Sequence, residues 1–204
     1  MPANTLTTNA MLAFDQQATV MIDGRSDIFS AGMQKPDEGR GGKLPSMNTL
    51  ANGGGVIQFP KVVGKAGCMA DAVFGPDGGD CAGGTTDLQS TDKIAGIVAR
   101  DRTLFLVGVF LGAKPPGKPP ERLDFSPGKQ GVAFTELAPA LNQVFFIGDG
   151  KTATGSGDLQ TFKVPAGATH LYLGYADGYG FMGTPGAYGD NKGGLSVTLV
   201  QKAK

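Results

Sequence analysis

Apolar residues in this chain fall into short runs closed by turn chemistry, with no sustained beat of a long helix. The runs predict strands over 18–23 (ATVMID), 28–31, 55–63 (GVIQFPKVV), 93–99, 104–111, 131–134, 143–147, 159–164, 170–176 and 194–201. They are rich in Val, Ile, Phe, Tyr and Thr and are bounded by Gly, Pro, Asp and Asn, the pattern of strands in a half-buried sheet. LFLVGVFL and QVFFIG are apolar without alternation, which predicts central strands covered on both faces. No helix-period stretch exceeds about ten residues. The best short helix candidates are 8–17 and 135–141, and Pro139 limits the second. Two long irregular segments are expected, a polar glycine-rich one over 34–54 and a proline-rich one over 113–126. About ten strands at this spacing predict an all-β jelly-roll sandwich. One domain over 18–204 is expected, preceded by an N-terminal arm over 1–17.

Composition sharpens this reading. The chain has 204 residues, enough for one full core, with 34 glycines and 13 prolines. Without a three-residue period that content means disorder or a β fold with many tight turns, and the frequent apolar runs decide for the fold. Lys plus Arg equals Asp plus Glu at 18 each, so the formal net charge is zero. Nucleic acid is therefore not expected as a partner, since phosphate binding needs a basic face, and an anionic membrane surface is disfavoured likewise. No run approaches the ~20 apolar residues of a membrane span. The opening MPANTLTTNAMLAFDQQ lacks the basic patch and apolar core of a signal peptide. A protein kept inside the cell and a secreted form written without its signal both fit, and the second is expected.

Cys68 and Cys81 lie thirteen apart around a turn-rich segment. In a reducing compartment they would be two buried thiols. In an oxidising one they would close a loop worth roughly 3 kcal/mol on the chain-entropy model. No His or further Cys stands near them, so an ordinary zinc site is excluded.

Catalysis is not expected. The single histidine, His170, opens a strand with no Ser or Asp motif placed to form a triad. The aspartates sit beside glycines in turns rather than projecting as a paired acid and base. GYGFMG and GGTTD precede no helix and so form no phosphate cradle. The informative stretch is HLYLGYADGYGFMGTPGAYGDNKGGLSVTLV, over 170–200. Two strands flank a loop carrying Asp177, Asp190 and Asn191 among glycines. These residues serve equally as two ordinary turns or as hard oxygen donors for one cation such as calcium, which takes six to eight oxygens. Asp149 in IGDGK, and Asp77 with Asp80 in GPDGGD, read as simple turn residues.

The order of features there (a strand ending Tyr-x-Asp, Pro-Gly-x-Tyr-Gly, Asp-Asn, then a Leu-Ser-Val strand) resembles the PA-I type of galactophilic lectin. QVFFIGDG, LQTFKVPAGATHLYLGYADG and the closing DNKGG turn are also similar to PA-I-like, galactose-binding-like domains of secreted bacterial proteins. The resemblance implies a jelly-roll fold, bound Ca2+ that ligates sugar hydroxyls directly, and an extracellular, non-enzymatic carbohydrate binder. It implies Asp177, Asp190 and Asn191 as metal ligands, with backbone carbonyls from Ala187 and from Phe74 in Phe74-Gly75-Pro76. Tyr179, Phe181 and Gln89 are the candidate carbohydrate contacts. The family's His-Pro-x-Gln segment has no counterpart over 77–93 beyond Gln89, and GYGFMGTP stands as an insert between Asp177 and Asp190. The rival expectation is a structural subunit of an extracellular matrix or filament. It would self-associate by strand addition, with calcium bracing the fold.

Overall fold

In a computed structural model of the chain, residues 9–51, 54–69, 72–114 and 116–203 are described. The fold is an all-β sandwich. One sheet runs, in spatial order, Asn9–Met11, Ser46–Thr49, Ala168–Tyr175, Leu106–Gly112 and Val144–Phe146. The facing sheet runs Glu136–Leu137, Thr161–Lys163, Val56–Met69, Lys192–Lys202 and Gln17–Asp23, with Ala72–Phe74 added on Val56–Met69.

Eight of the strands pair in nested order, first with last and so on inward along the chain. The first, Gln17–Asp23, lies antiparallel to the last, Lys192–Lys202. Ser46–Thr49 pairs with Ala168–Tyr175, Val56–Met69 with Thr161–Lys163, and Leu106–Gly112 with Val144–Phe146. This nesting brings the ends of Ala168–Tyr175 and Lys192–Lys202 to one end of the sandwich, where the 176–191 loop joins them.

Alternation builds the core as expected. Ala18, Val20 and Ile22 on the first strand and Leu195, Val197 and Leu199 on the last face inward. In Val144–Phe146 successive rings pack in opposite directions within one core. Phe145 packs at a tilt across the sandwich against Phe162, centroids 5.3 Å apart, while Phe146 packs 5.9 Å from Phe125 and 5.3 Å from Phe105. Phe125 follows Leu123–Asp124, a member of a small sheet with Met182–Gly183, Thr86–Leu88 and Ile97–Ala99. That third layer explains why Leu106–Gly112 and Val144–Phe146 are apolar on both faces. Lys151–Ala153 and Ser156–Leu159 form a separate hairpin.

Several local expectations are corrected. Residues 28–31 are not a strand: the Asp27 carboxylate accepts the Phe29 N–H at 2.9 Å and caps a 3-10 turn, Ile28–Ser30. Such side-chain capping outcompetes a ladder for the same backbone groups. Segment 131–134 forms no strand either, because the Gln160 side-chain amide donates to the Val132 and Phe134 carbonyls at 2.7 and 2.9 Å. Both helix candidates give short strands instead, Asn9–Met11 and Glu136–Leu137. Of the arm expected over 1–17, Asn9–Met11 pairs in parallel with Ser46–Thr49, and Ala10 and Leu12 are buried. Residues 1–8 lie outside the described residues.

Candidate functional site

Asp177 is the centre of the loop that closes the sandwich. It follows the Ala168–Tyr175 strand, and its residue is only 2 % exposed. A fully buried Tyr188 hangs the loop from the strand end: its hydroxyl donates to the Tyr175 carbonyl at 2.9 Å and accepts the Asp177 N–H at 3.1 Å. The Asp177 carbonyl accepts the Gly186 N–H at 2.9 Å. Its carboxylate accepts the Gly178 N–H at 2.7 Å through Oδ1 and the Asn191 amide at 2.8 Å through Oδ2. That amide also donates to the Gly24 carbonyl at 3.0 Å. Two acceptors fix which Asn191 atom is nitrogen, and the remaining Oδ1 is buried without a partner.

The electrostatics of Asp177 are unfavourable as they stand. Burial pushes its carboxyl up to about 7, and the negative charges of Asp190 and Asp27 push the same way, against the bonds from Asn191 and Gly178. Among the described residues no Lys, Arg or His forms an ion pair with it. Asp27 differs. It is fully buried but accepts bonds from Phe29 N–H, the Ser30 hydroxyl at 2.6 Å and the Arg40 guanidinium at 3.1 Å. Arg40 belongs to the segment expected to be irregular over 34–54; it precedes the Ser46–Thr49 strand, and Gly41 and Gly42 lie against the loop. A Cβ on Gly42 would stand 2.7 Å from the Asp27 Cβ and 3.4 Å from that of Tyr188. Only glycine allows this approach.

A cavity of ≈ 120 Å³ opens beside Asp177. Asp190, Ala187, Tyr179, Phe181 and the Cys68–Cys81 disulfide line it too. Six non-glycine residues among those described have positive φ, and three of them border this cavity: Ala82 at 48°, Phe181 at 57° and Ala187 at 62°. Strain of this kind concentrates where a binding geometry is held in place. Asp190 is exposed, whereas Tyr179 stands 92 % exposed on a turn between Gly178 and Gly180.

Five of the residues singled out from the sequence therefore share one cavity: Asp177, Asp190, Ala187, Tyr179 and Phe181. Phe181 is buried and packs in the core. Asn191 touches Asp177 from behind and borders a separate surface depression with Asp23 and Arg25. Phe74 lies outside the cavity, its ring covering Gly79. Gln89 is exposed, also outside it, and its N–H donates to the Gly183 carbonyl at 2.7 Å. The disulfide as a cavity wall, the Tyr188 tether and the Arg40–Asp27 pair carry no mark in the pattern of the sequence. Tyr188 lies in the Pro-Gly-x-Tyr-Gly motif, but nothing in the sequence ties Arg40 to Asp27. Among the described residues no group of three or more His, Cys, Asp or Glu side chains is gathered as a metal cluster. Elsewhere, Asp149 closes its own turn by accepting the Lys151 and Gly155 N–H groups at 2.9 and 2.6 Å. His170 contacts Thr169, Nδ1 to hydroxyl 2.8 Å, away from the cavity. No protein-family model, no characterised protein and no solved structure matches this chain.

Proposed function

We propose that the chain is a secreted, non-catalytic jelly-roll module that binds carbohydrate through a calcium ion in the Asp177–Asp190 cavity. The observation that carries this reading is Asp177 itself, a buried carboxylate with further negative charge nearby and no cationic partner among the described residues. Burying an unpaired charge is costly, so such a group takes up a proton or a cation. The donor set suits a hard cation: the two carboxylates of Asp177 and Asp190, and an Ala187 backbone turned into the left-handed region. The cavity is of a size for an ion and a few waters, not for a sugar ring.

Calcium held there would offer open coordination positions to two adjacent sugar hydroxyls. Asp190, at the exposed edge, is placed to accept hydrogen bonds from those hydroxyls, and Tyr179 presents a free ring face to the sugar. Phe181 holds the loop to the core, and Asn191 orients Asp177 through its amide. The nested strand pairing supports the jelly-roll assignment. A disulfide suits an oxidising, extracellular setting.

Glycan-array binding tests the reading. Galactose-type and other glycans should be retained in calcium and lost in excess chelator, and the exposed-site substitution Asp190→Asn should reduce binding at least about tenfold, the loss of one charge-assisted contact. Binding that survives the chelator contradicts it.

One feature favours a structural subunit instead. The edge strands Asn9–Met11 and Gln17–Asp23 carry Met11 and Met21, both well exposed. Unpaired edges with apolar side chains template strand addition. Concentration-dependent polymers in ultracentrifugation, indifferent to sugar and chelator, would favour that reading over the lectin.

A further inference from the structure

One wall of the cavity is sulfur. Cys68 lies in Val56–Met69 and Cys81 opens the turn Cys81–Gly83; the disulfide between them borders the same space as Asp177 and Asp190. The turn is a segment that has to be held. Ala82, Gly83 and Gly84 follow one another at φ 48°, 89° and 68°, and an alanine adopts that region only at a cost. Besides the crosslink, Thr103 anchors it, its hydroxyl donating to the Cys81 carbonyl at 3.0 Å and the Gly79 carbonyl at 3.1 Å. Ala82 borders the cavity directly. The crosslink therefore ties the strained wall of the cavity to the longest strand of the sandwich.

We infer that the Cys68–Cys81 disulfide sets the cation affinity of this cavity, which is strong in the oxidised chain and weak in the reduced one. The inference rests on the cation reading given above. A dithiol is the reductant by class. Its thiolate attacks one cysteine sulfur, the S–S bond breaks, and its second thiol displaces that cysteine from the mixed disulfide. Two electrons and two protons pass to the protein, leaving Cys68 and Cys81 as thiols and the reductant as a cyclic disulfide. Without the crosslink the 80–84 turn samples other conformations, and binding has to order it again, a cost that appears as weaker affinity. Coupling between two equilibria is reciprocal. A bound cation must therefore make the disulfide harder to reduce by the same factor.

The test uses calcium alone as the probe. Calorimetric titration compares the oxidised chain with the chain held in excess dithiothreitol, at a temperature where circular dichroism shows both folded. The reduced chain, and a Cys68→Ser/Cys81→Ser variant, are expected to bind about tenfold or more weakly. In dithiol–disulfide buffers, thiol labelling should show the midpoint moving to more reducing ratios when calcium is present, by the factor seen in affinity. Equal affinities with an unmoved midpoint overturn the inference and leave the cation site standing. A reduced chain that is unfolded at every temperature makes the disulfide a staple of the fold, which overturns it as well. An oxidised chain that binds no calcium overturns the cation reading itself.

Discussion

Arg40→Ala is expected to cost about 3 kcal/mol of stability in urea unfolding. The reason lies with its partner. Asp27 is fully buried and accepts neutral bonds from Phe29 and Ser30, but the Arg40 guanidinium, 3.1 Å away, is the charge that pairs with it. Removing one member of a buried pair leaves the other uncompensated, at a cost of about 3–5 kcal/mol. Arg40 keeps 17 % of its side chain exposed, so water offsets part of the loss and the low end applies. The double variant Asp27→Asn/Arg40→Ala should recover part of the deficit, because no buried charge is then left alone. A loss under about 1 kcal/mol for Arg40→Ala would place the pair with ordinary surface bridges and contradict this account.

Removing one hydroxyl, in Tyr188→Phe, should cost about 2–3 kcal/mol. That group makes two buried bonds at once, one to the Tyr175 carbonyl and one from the Asp177 N–H. Phenylalanine fills the same space but removes both bonds, and the Asp177 N–H loses its partner in the interior. The second bond also fixes where Asp177 leaves its strand. Tyr188→Phe should therefore weaken calcium binding in titration while the fold persists. Parental stability would mean that water or a shifted backbone replaces the hydroxyl, and the tether would carry no weight.

The all-β sandwich was legible because alternation and continuous apolar runs report burial directly. LFLVGVFL gave away a strand covered on both faces before the layer over it was known. What escaped was set by single side chains acting at a distance. Ser46–Thr49 is polar, and its inward Asn48 is held by donating its amide to the Leu171 carbonyl at 3.2 Å, so no apolar period marked it. Asp27 and Gln160 redirected two predicted strands by taking over backbone groups. The candidate cavity was legible as far as one loop reaches: Asp177, Ala187 and Asp190 are near one another in the chain and line the same space. The disulfide wall and the Arg40 anchor come from segments more than ninety residues away. Phe74 and Gln89, drawn from the resemblance across such a distance, lie outside that cavity.

The most direct measurement is thermal and urea unfolding with calcium and then with excess chelator, on the parent and on Asp177→Asn. If the cavity holds the ion, calcium at a hundred times its dissociation constant should add about 2.7 kcal/mol to the parent, reversibly. Asp177→Asn, which removes the buried negative charge, should fold well and gain nothing. A parent whose unfolding is the same in calcium and in chelator would contradict the account at its centre.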